Sequence, residues 1–139
     1  MRHLFLDTAV LLYAFGGPSP HRDHCLAVLQ AARAGQVQLH LSVEGGQEFL
    51  FHRLRRGPLE SALEAFDAVD AVVEWHPFGV EVLRASRRMV ADGEARGRDA
   101  VHAATALLAG FGQIVSPDPD FDAIRGLRRL DPGALRPST

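Results

Sequence analysis

The sequence predicts an α/β fold: a three-layer α/β/α sandwich around a central, mostly parallel five-stranded sheet. Two observations point to it. Short apolar runs alternate with longer segments of 3.6-residue periodicity along the whole chain. No internal repeat or low-complexity stretch interrupts that alternation. Helices between strands this short imply parallel pairing through crossovers, because a parallel pair cannot be closed by a tight turn. In such sheets ligands bind beyond the carboxyl ends of the strands, so the residues that follow each strand carry most of the functional information.

The elements follow in order. His3 to Leu6 reads as a first strand ending on Asp7, and Thr8 to Phe15 as a short helix broken by Gly16-Gly17-Pro18. Helical spacing resumes from about His21 to Ala34, with Cys25, Leu26, Val28, Leu29 and Ala32 on one apolar face and Gly35 as the stop. Val37 to Leu41 alternates as a second strand, and Ser42 is placed to cap a helix that carries Glu44, Glu48 and Phe49 and ends at Arg56-Gly57-Pro58. Leu59, Ala62, Leu63, Phe66 and Val69 form the stripe of the next helix, which Pro58 opens. Val72 to Trp75 is a brief third strand. Two helices follow, one from about Gly79 to Asp92 and one from Arg98 to Ala109, closed by Gly110. Gln113 to Ser116 is a fourth strand, Pro117 to Ile124 a polar, turn-rich loop, and Leu127 to Leu130 a fifth strand at an edge. One domain over residues 1–131 is expected, followed by a short Pro-rich tail, 132–139, expected to be loose.

Composition excludes several classes of protein. A chain of 139 residues with 47% hydrophobic content fits one domain and supplies its own core. At that size about 68–70% of the unfolded surface is buried on folding. The single cysteine, Cys25, excludes an internal disulfide framework and a CxxC metal knuckle, and makes a reducing compartment, the cytoplasm, the expected location. The N-terminus reaches Asp7 too soon for a signal peptide. No apolar run approaches the roughly 20 residues a spanning helix needs, so no membrane association is expected. Net charge is −2, which argues against a polyanionic partner until the distribution is read. Every basic side chain is arginine, clustered at Arg53, Arg55 and Arg56, at Arg84, Arg87 and Arg88, and at Arg125, Arg128 and Arg129. Arginine forks suit bidentate phosphate contact, and the plainer explanation is a set of solvated helix faces.

The acidic residues carry the chemistry. Asp7 follows the first strand, Glu48 lies within the third helix among Phe49, Leu50 and Phe51, Asp99 opens a late helix, and Asp118 and Asp120 follow the fourth strand. If the topology is right, these acids converge. Carboxylates sharing a pocket repel one another and must take up protons or bind a cation. With oxygen donors and no thiolate set, a hard ion, Mg2+ or Mn2+, is the expected partner. Such an ion acidifies a water and neutralises charge on a phosphodiester, making hydrolysis of nucleic acid the leading chemistry. Each residue also has a structural role open to it: Asp99 as a favourable charge on a helix dipole, Asp118 and Asp120 as turn formers.

Four stretches, taken in order, resemble the motif regions of PIN-domain nucleases: Leu6-Asp7-Thr8, Gln47-Glu48-Phe49 after Ser42, Arg98-Asp99-Ala100-Val101-His102-Ala103-Ala104-Thr105-Ala106, and Ser116-Pro117-Asp118-Pro119-Asp120-Phe121. The overall pattern is similar to the VapC-type toxins of prokaryotic toxin–antitoxin pairs and covers nearly the whole chain. The resemblance implies a PIN domain over 1–131 and a Mg2+- or Mn2+-dependent endoribonuclease. It makes Asp7, Glu48, Asp99 and Asp118 the acidic quartet, with Asp7 and Asp99 foremost as direct metal ligands; the mechanism expected from those four positions sets the metal between Asp7, Asp99 and Asp118 and has Glu48 orient or deprotonate the attacking water. Asp120 becomes an accessory acid. Thr8 and Ser116 become hydrogen-bonding partners of the carboxylates or the scissile phosphate. An RNA substrate, a cognate antitoxin and a homodimer are the implied partners. Ala9 departs from the Asn or Ser frequent two residues after the first Asp, which removes a supporting hydrogen bond but no carboxylate.

Other readings compete. Glu44 lies one helical turn before Glu48 and shares its face, but the Gln-Glu-Phe match favours Glu48. His102, three residues after Asp99, reads as a packing and hydrogen-bonding residue rather than a general base, and His21-Arg22-Asp23-His24 as an exposed stretch with metal-pair spacing only. Asp118, Asp120 and Asp122 alternate like half of a calcium loop, which fails at Ala123 and Arg129. A receiver domain would need a late lysine that this chain lacks. Two functional alternatives stand beside the toxin: an RNA-processing nuclease outside any toxin–antitoxin pair, and a non-cleaving module that binds RNA or protein.

Overall fold

A computed structural model describes residues 1–135. Strand β1 (Arg2–Phe5) is followed by α1 (Thr8–Ala14), α2 (Arg22–Arg33), β2 (Val37–Ser42), α3 (Val43–Arg56), α4 (Leu59–Asp70), β3 (Val73–His76), α5 (Val80–Ala91), α6 (Gly97–Leu108), β4 (Gln113–Val115) and β5 (Arg128–Leu130). The expected elements are all present, with ends displaced by a residue or two as fraying termini usually are. Within the loop expected from Pro117 to Ile124, Pro119–Ala123 forms a 3-10 turn capped by the preceding residue, Asp118, whose side chain accepts a hydrogen bond from the Asp120 N–H.

Alternation along β1 explains the layering. Leu4 and Leu6 point into a core shared with Val10 and Leu11 of α1, Cys25, Val28 and Leu29 of α2, Leu39 and Leu41 of β2, Phe49 of α3 and Val69 of α4. Phe5 points the other way, into a second core with Val82 and Met89 of α5, the alanines of α6, Ile114 and Phe121. Two faces of one strand therefore serve two helical layers, as a parallel sheet requires. In α6 the buried residues Ala100, Ala103, Ala104 and Ala106 are all small, which lets that helix lie close to the sheet. Burial pushes the Cys25 thiol up to about 12, so it behaves as an inert core residue.

The sheet departs from expectation. In place of one continuous five-stranded sheet there are a three-stranded sheet, β1-β2-β3, and a two-stranded one, β4-β5, every ladder parallel. They meet at a single bridge between Leu6 and Val115. Successive N–H groups there address opposite neighbours, as in any strand flanked on both sides: the Leu6 N–H donates to the His40 carbonyl, and that of Asp7 donates to the Val115 carbonyl. The chain enters α1 at Thr8, directly after this rung, so the pairing with β4 goes no further.

A second difference concerns the tail. Pro132 is buried, Asp131 accepts from the Gly133 N–H to cap a 3-10 turn at Pro132–Ala134, and Leu135 packs on the α1–α2 core. Apolar contact thus orders the first residues of a segment expected to be loose. The rest of the expected tail, 136–139, lies outside the described residues. Among the described residues no helix is long and apolar enough to cross a membrane.

Two glycines at the start of α3 let it approach its neighbours. A Cβ at Gly45 would lie 2.7 Å from Thr8 Oγ1, and one at Gly46 would lie 2.7 Å from the Trp75 ring. Trp75 has nowhere to go, being stacked on Phe66 with its Nε1–H donated to Asp70. Gly46→Ala should therefore destabilise the fold by about 1–3 kcal/mol through overpacking, outweighing the roughly 1 kcal/mol that alanine gains in a helix. Urea denaturation measures the difference, and a stabilised variant would refute the packing argument.

Candidate active site

Three segment ends meet where the sheet forks. Asp7 occupies the N-cap position of α1 in extended conformation, yet its side chain does not cap the helix. Its Oδ2 instead accepts from the Ser116 hydroxyl at 2.9 Å, just beyond β4. The Ser116 oxygen in turn accepts from the Asp118 N–H at 3.0 Å. One hydroxyl thus ties the carboxylate after β1 to the loop after β4. Arg129 braces that loop by donating to the Ser116 carbonyl and pairing with Asp122 at 2.8 Å, which draws the last of the three alternating aspartates away from the others.

The opposite wall is organised by His102. Ser42, at the end of β2, caps α3 by accepting from the Gly45 N–H, and its oxygen lies 2.9 Å from His102 Nδ1. The tautomer that satisfies every partner has Ser42 donating to Nδ1 and Nε2–H donating to Glu48 Oε1 at 3.3 Å, with Thr8 Oγ1 at 3.2 Å from the same nitrogen. The imidazole is 2% exposed, so it works as a fixed strut between β2, α1 and α3. Arg98 adds a longer contact at 3.9 Å to Glu48 and one at 3.6 Å to Glu44. The hydrogen bond from His102 holds the Glu48 carboxyl below its ordinary range, against the opposing effect of burial.

The remaining acids lie between these walls. Ligand oxygens of Asp99, Asp118 and Asp120 come within 4.8 Å of one another. Asp7 and Glu48 are outside that trio but share its electrostatics. Burial pushes Asp7 up to about 6, opposed by His102 and Ser116 and reinforced by Asp99 and Glu48. Burial, then Asp118, raises Asp99. An all-oxygen donor set whose carboxyls are reluctant to ionise side by side is what a hard divalent cation relieves, so these residues fit Mg2+ or Mn2+.

Residues 4–127 match the PIN domain. The chain belongs to the PIN-domain family. Among relatives of this PIN domain, Ribonuclease VapC7 of Mycobacterium tuberculosis is 30% identical over 135 residues, covering 94% of this chain and 92% of that one. Ribonuclease VapC13 of the same organism is 27% identical over 135 residues, covering 91% and 98%. A crystal structure of DNA-bound VapBC from Salmonella typhimurium superposes with a TM-score of 0.72 at 16% identity, covering 95% of this chain and 99% of that one.

The sequence led to the acids but understated their supports. Ser42 was legible only as a helix cap, and its second contact, to His102, joins residues 60 positions apart. His102 matches the hydrogen-bonding role expected of it. Asp120, expected as an accessory, joins Asp99 and Asp118 within the same 4.8 Å limit. His21 instead packs on Tyr13 with ring centroids 4.8 Å apart, and neither it nor His24 joins a group of three metal donors among the described residues.

A pH prediction follows from Asp7. Its folded value, about 6, is above the ordinary 3.8, so the native state keeps a proton that the unfolded chain releases. Stability therefore falls as pH rises from about 4 to 6 and stays reduced above that. In chelator, Asp7→Asn should be more stable than wild type by about 1–3 kcal/mol at pH 7 and show little gain at pH 4. Thermal denaturation at the two pH values checks this, and an equal gain at both would contradict it.

Proposed function

We propose that this chain is a metal-dependent endoribonuclease and the toxin of a toxin–antitoxin pair. The observation that carries the reading is the gathering of Asp7, Glu48, Asp99 and Asp118, from four distant segments, around the forked end of a parallel sheet. The names of its relatives support the same reading: two are ribonucleases, and the Salmonella structure is a VapBC assembly.

In the proposed mechanism Asp7, Asp99 and Asp118, with Asp120 beside them, hold a Mg2+ or Mn2+ ion. When bound, that ion acidifies water and neutralises charge developing on the phosphodiester. The chain's own groups do the positioning. Ser116 fixes the rotamer of Asp7 and the approach of Asp118 in one contact. Glu48 is ionised and weakly basic, held by His102, so it orients the attacking water by accepting a hydrogen bond from it. The water oxygen bonds to phosphorus in line as the bond to the 3′ oxygen breaks, its proton passes to solvent and the 3′ oxygen takes one from solvent, leaving a 5′-phosphate and a 3′-hydroxyl. Arg55 and Arg98 line the pocket beside Glu48, and Arg53 and Arg56 line a second groove between α3 and the chain after α1. Both pairs are placed to hold the RNA backbone, where phosphate contact positions the strand without reading its sequence.

Partners belong to the same proposal. Phe51 and Leu54 on α3, Leu59 and Leu63 on α4, and Leu83 and Val90 on α5 are exposed. That much apolar surface suits protein association, with the antitoxin and a second copy of this chain as the proposed occupants. The PIN domain is taken to span residues 1–131, and the cytoplasm is its proposed location.

Cleavage of total RNA by the purified chain should require Mg2+ or Mn2+ and stop in chelator. Asp99→Asn should reduce the rate by more than the about 10–100-fold typical of losing an outer supporting group, with its circular dichroism unchanged. Glu48→Gln should lower the rate while leaving Mg2+ affinity near that of wild type. Wild-type cleavage by Asp99→Asn would remove Asp99 from the site, and absence of cleavage under every metal condition would favour a binding module.

A further inference from the structure

Three histidines and a glutamate lie in a row on one face of the three-stranded sheet, and none takes part in the chemistry described above. Parallel register sets Phe5 of β1, His40 of β2 and Glu74 of β3 level with one another, and Ser42 level with His76. Alternation then puts His3, His40, Glu74 and His76 on the α5–α6 side. His40 Nδ1 lies 2.9 Å from His76 Nε2 and 3.2 Å from Glu74 Oε2. The other ring nitrogen, Nε2, lies 2.8 Å from His3 Nδ1. Phe111 closes over the group, its ring centroid 4.9 Å from that of His40 and 6.1 Å from that of His76.

Hydrogen bonding alone accounts poorly for this convergence. The three rings can share one chain of hydrogen bonds, but Glu74 Oε2 then stands 3.2 Å from a His40 nitrogen already engaged with His76. A cation engages all three at once. One ligand atom from each of His40, Glu74 and His76 falls within 4.8 Å of the others. Around a tetrahedral ion with bonds of about 2.0–2.1 Å, donors lie about 3.3 Å apart, so the observed 2.9 and 3.2 Å separations need to open only slightly. His3 completes the arrangement by accepting the Nε2–H of His40, the outer hydrogen bond that fixes a ligating imidazole. His76 also borders an open cavity of about 370 Å³, which provides a way in.

We propose that His40, Glu74 and His76 form a second cation site, for a divalent transition ion of the zinc class, separate from the oxygen-only site of the nuclease reading. Imidazole nitrogens select such ions over magnesium. The bound ion ties β3, the edge strand, to β2 next to Ser42, whose oxygen holds His102. Its occupancy is thereby linked to the wall of the acidic pocket through two side chains.

Untagged chain, stripped with chelator and kept in excess Mg2+ so that oxygen sites are filled, would be titrated with Co2+ and read by visible absorption, then challenged with Zn2+. The expected result is one Co2+ per chain with the intense bands of a four-coordinate ion, displaced by Zn2+. Glu74→Gln, at an exposed position, and His76→Gln should each weaken uptake at least tenfold with circular dichroism unchanged, while Asp118→Asn leaves it intact. Absence of uptake, a weak six-coordinate spectrum, binding that survives both substitutions, or binding lost in Asp118→Asn would each overturn the proposal. None of these readouts depends on RNA cleavage, so this site and the nuclease reading stand or fall separately.

Discussion

Negative charge held in a partly dry crevice is the constraint around which this molecule is arranged. Asp7 is 4% exposed and has Asp99 and Glu48 as electrostatic neighbours, an arrangement that costs free energy unless something offsets it. The chain offsets part of it internally. Ser116 donates to Asp7, and His102 donates to Glu48. Among the described residues the outer acids receive no comparable donor: the Asp118 carboxylate accepts only from the backbone N–H of Asp120. The internal supports thus treat the two walls and leave the central acids without a balancing positive charge of their own.

The same constraint explains where the unusual local choices fall. Gly45 is where α3 must pass Thr8, and Ser42 must both start that helix and face His102. Neither position tolerates a larger or apolar side chain, for reasons that lie in the crevice and not in the helix itself. Helix α6 meets the demand differently: its alanines give proximity to the sheet, and the one large polar residue among them, His102, is the strut.

Much of this was legible in the sequence because it is written in local chemistry. Gly35 and Gly110 mark helix ends with positive φ, Ser42 caps as its type suggests, and acids just after strands fall at the sheet's carboxyl end as parallel topology dictates. What stayed hidden depends on side chains meeting across the fold. Nothing near Leu6 announces that the pairing with β4 stops after a single bridge to Val115. Nothing near His40 announces His76, since one strand's alternation does not reveal its neighbour's register. The burial of Pro132 and Leu135 likewise depends on α2 and could not be read from a Pro-rich composition.

The fork between the two halves of the sheet has a mechanical consequence. A continuous ladder would lock β4 to β1 along its whole length, whereas here one bridge, its flanking N–H and the Ser116–Asp7 hydrogen bond carry the join. Force applied across the crevice by a bulky occupant would be taken up at that seam first. The half bearing Ser116 and Asp118 would swing outward while β1, β2 and β3 stay zipped, giving a rigid jaw and a compliant one with Asp7 at the pivot.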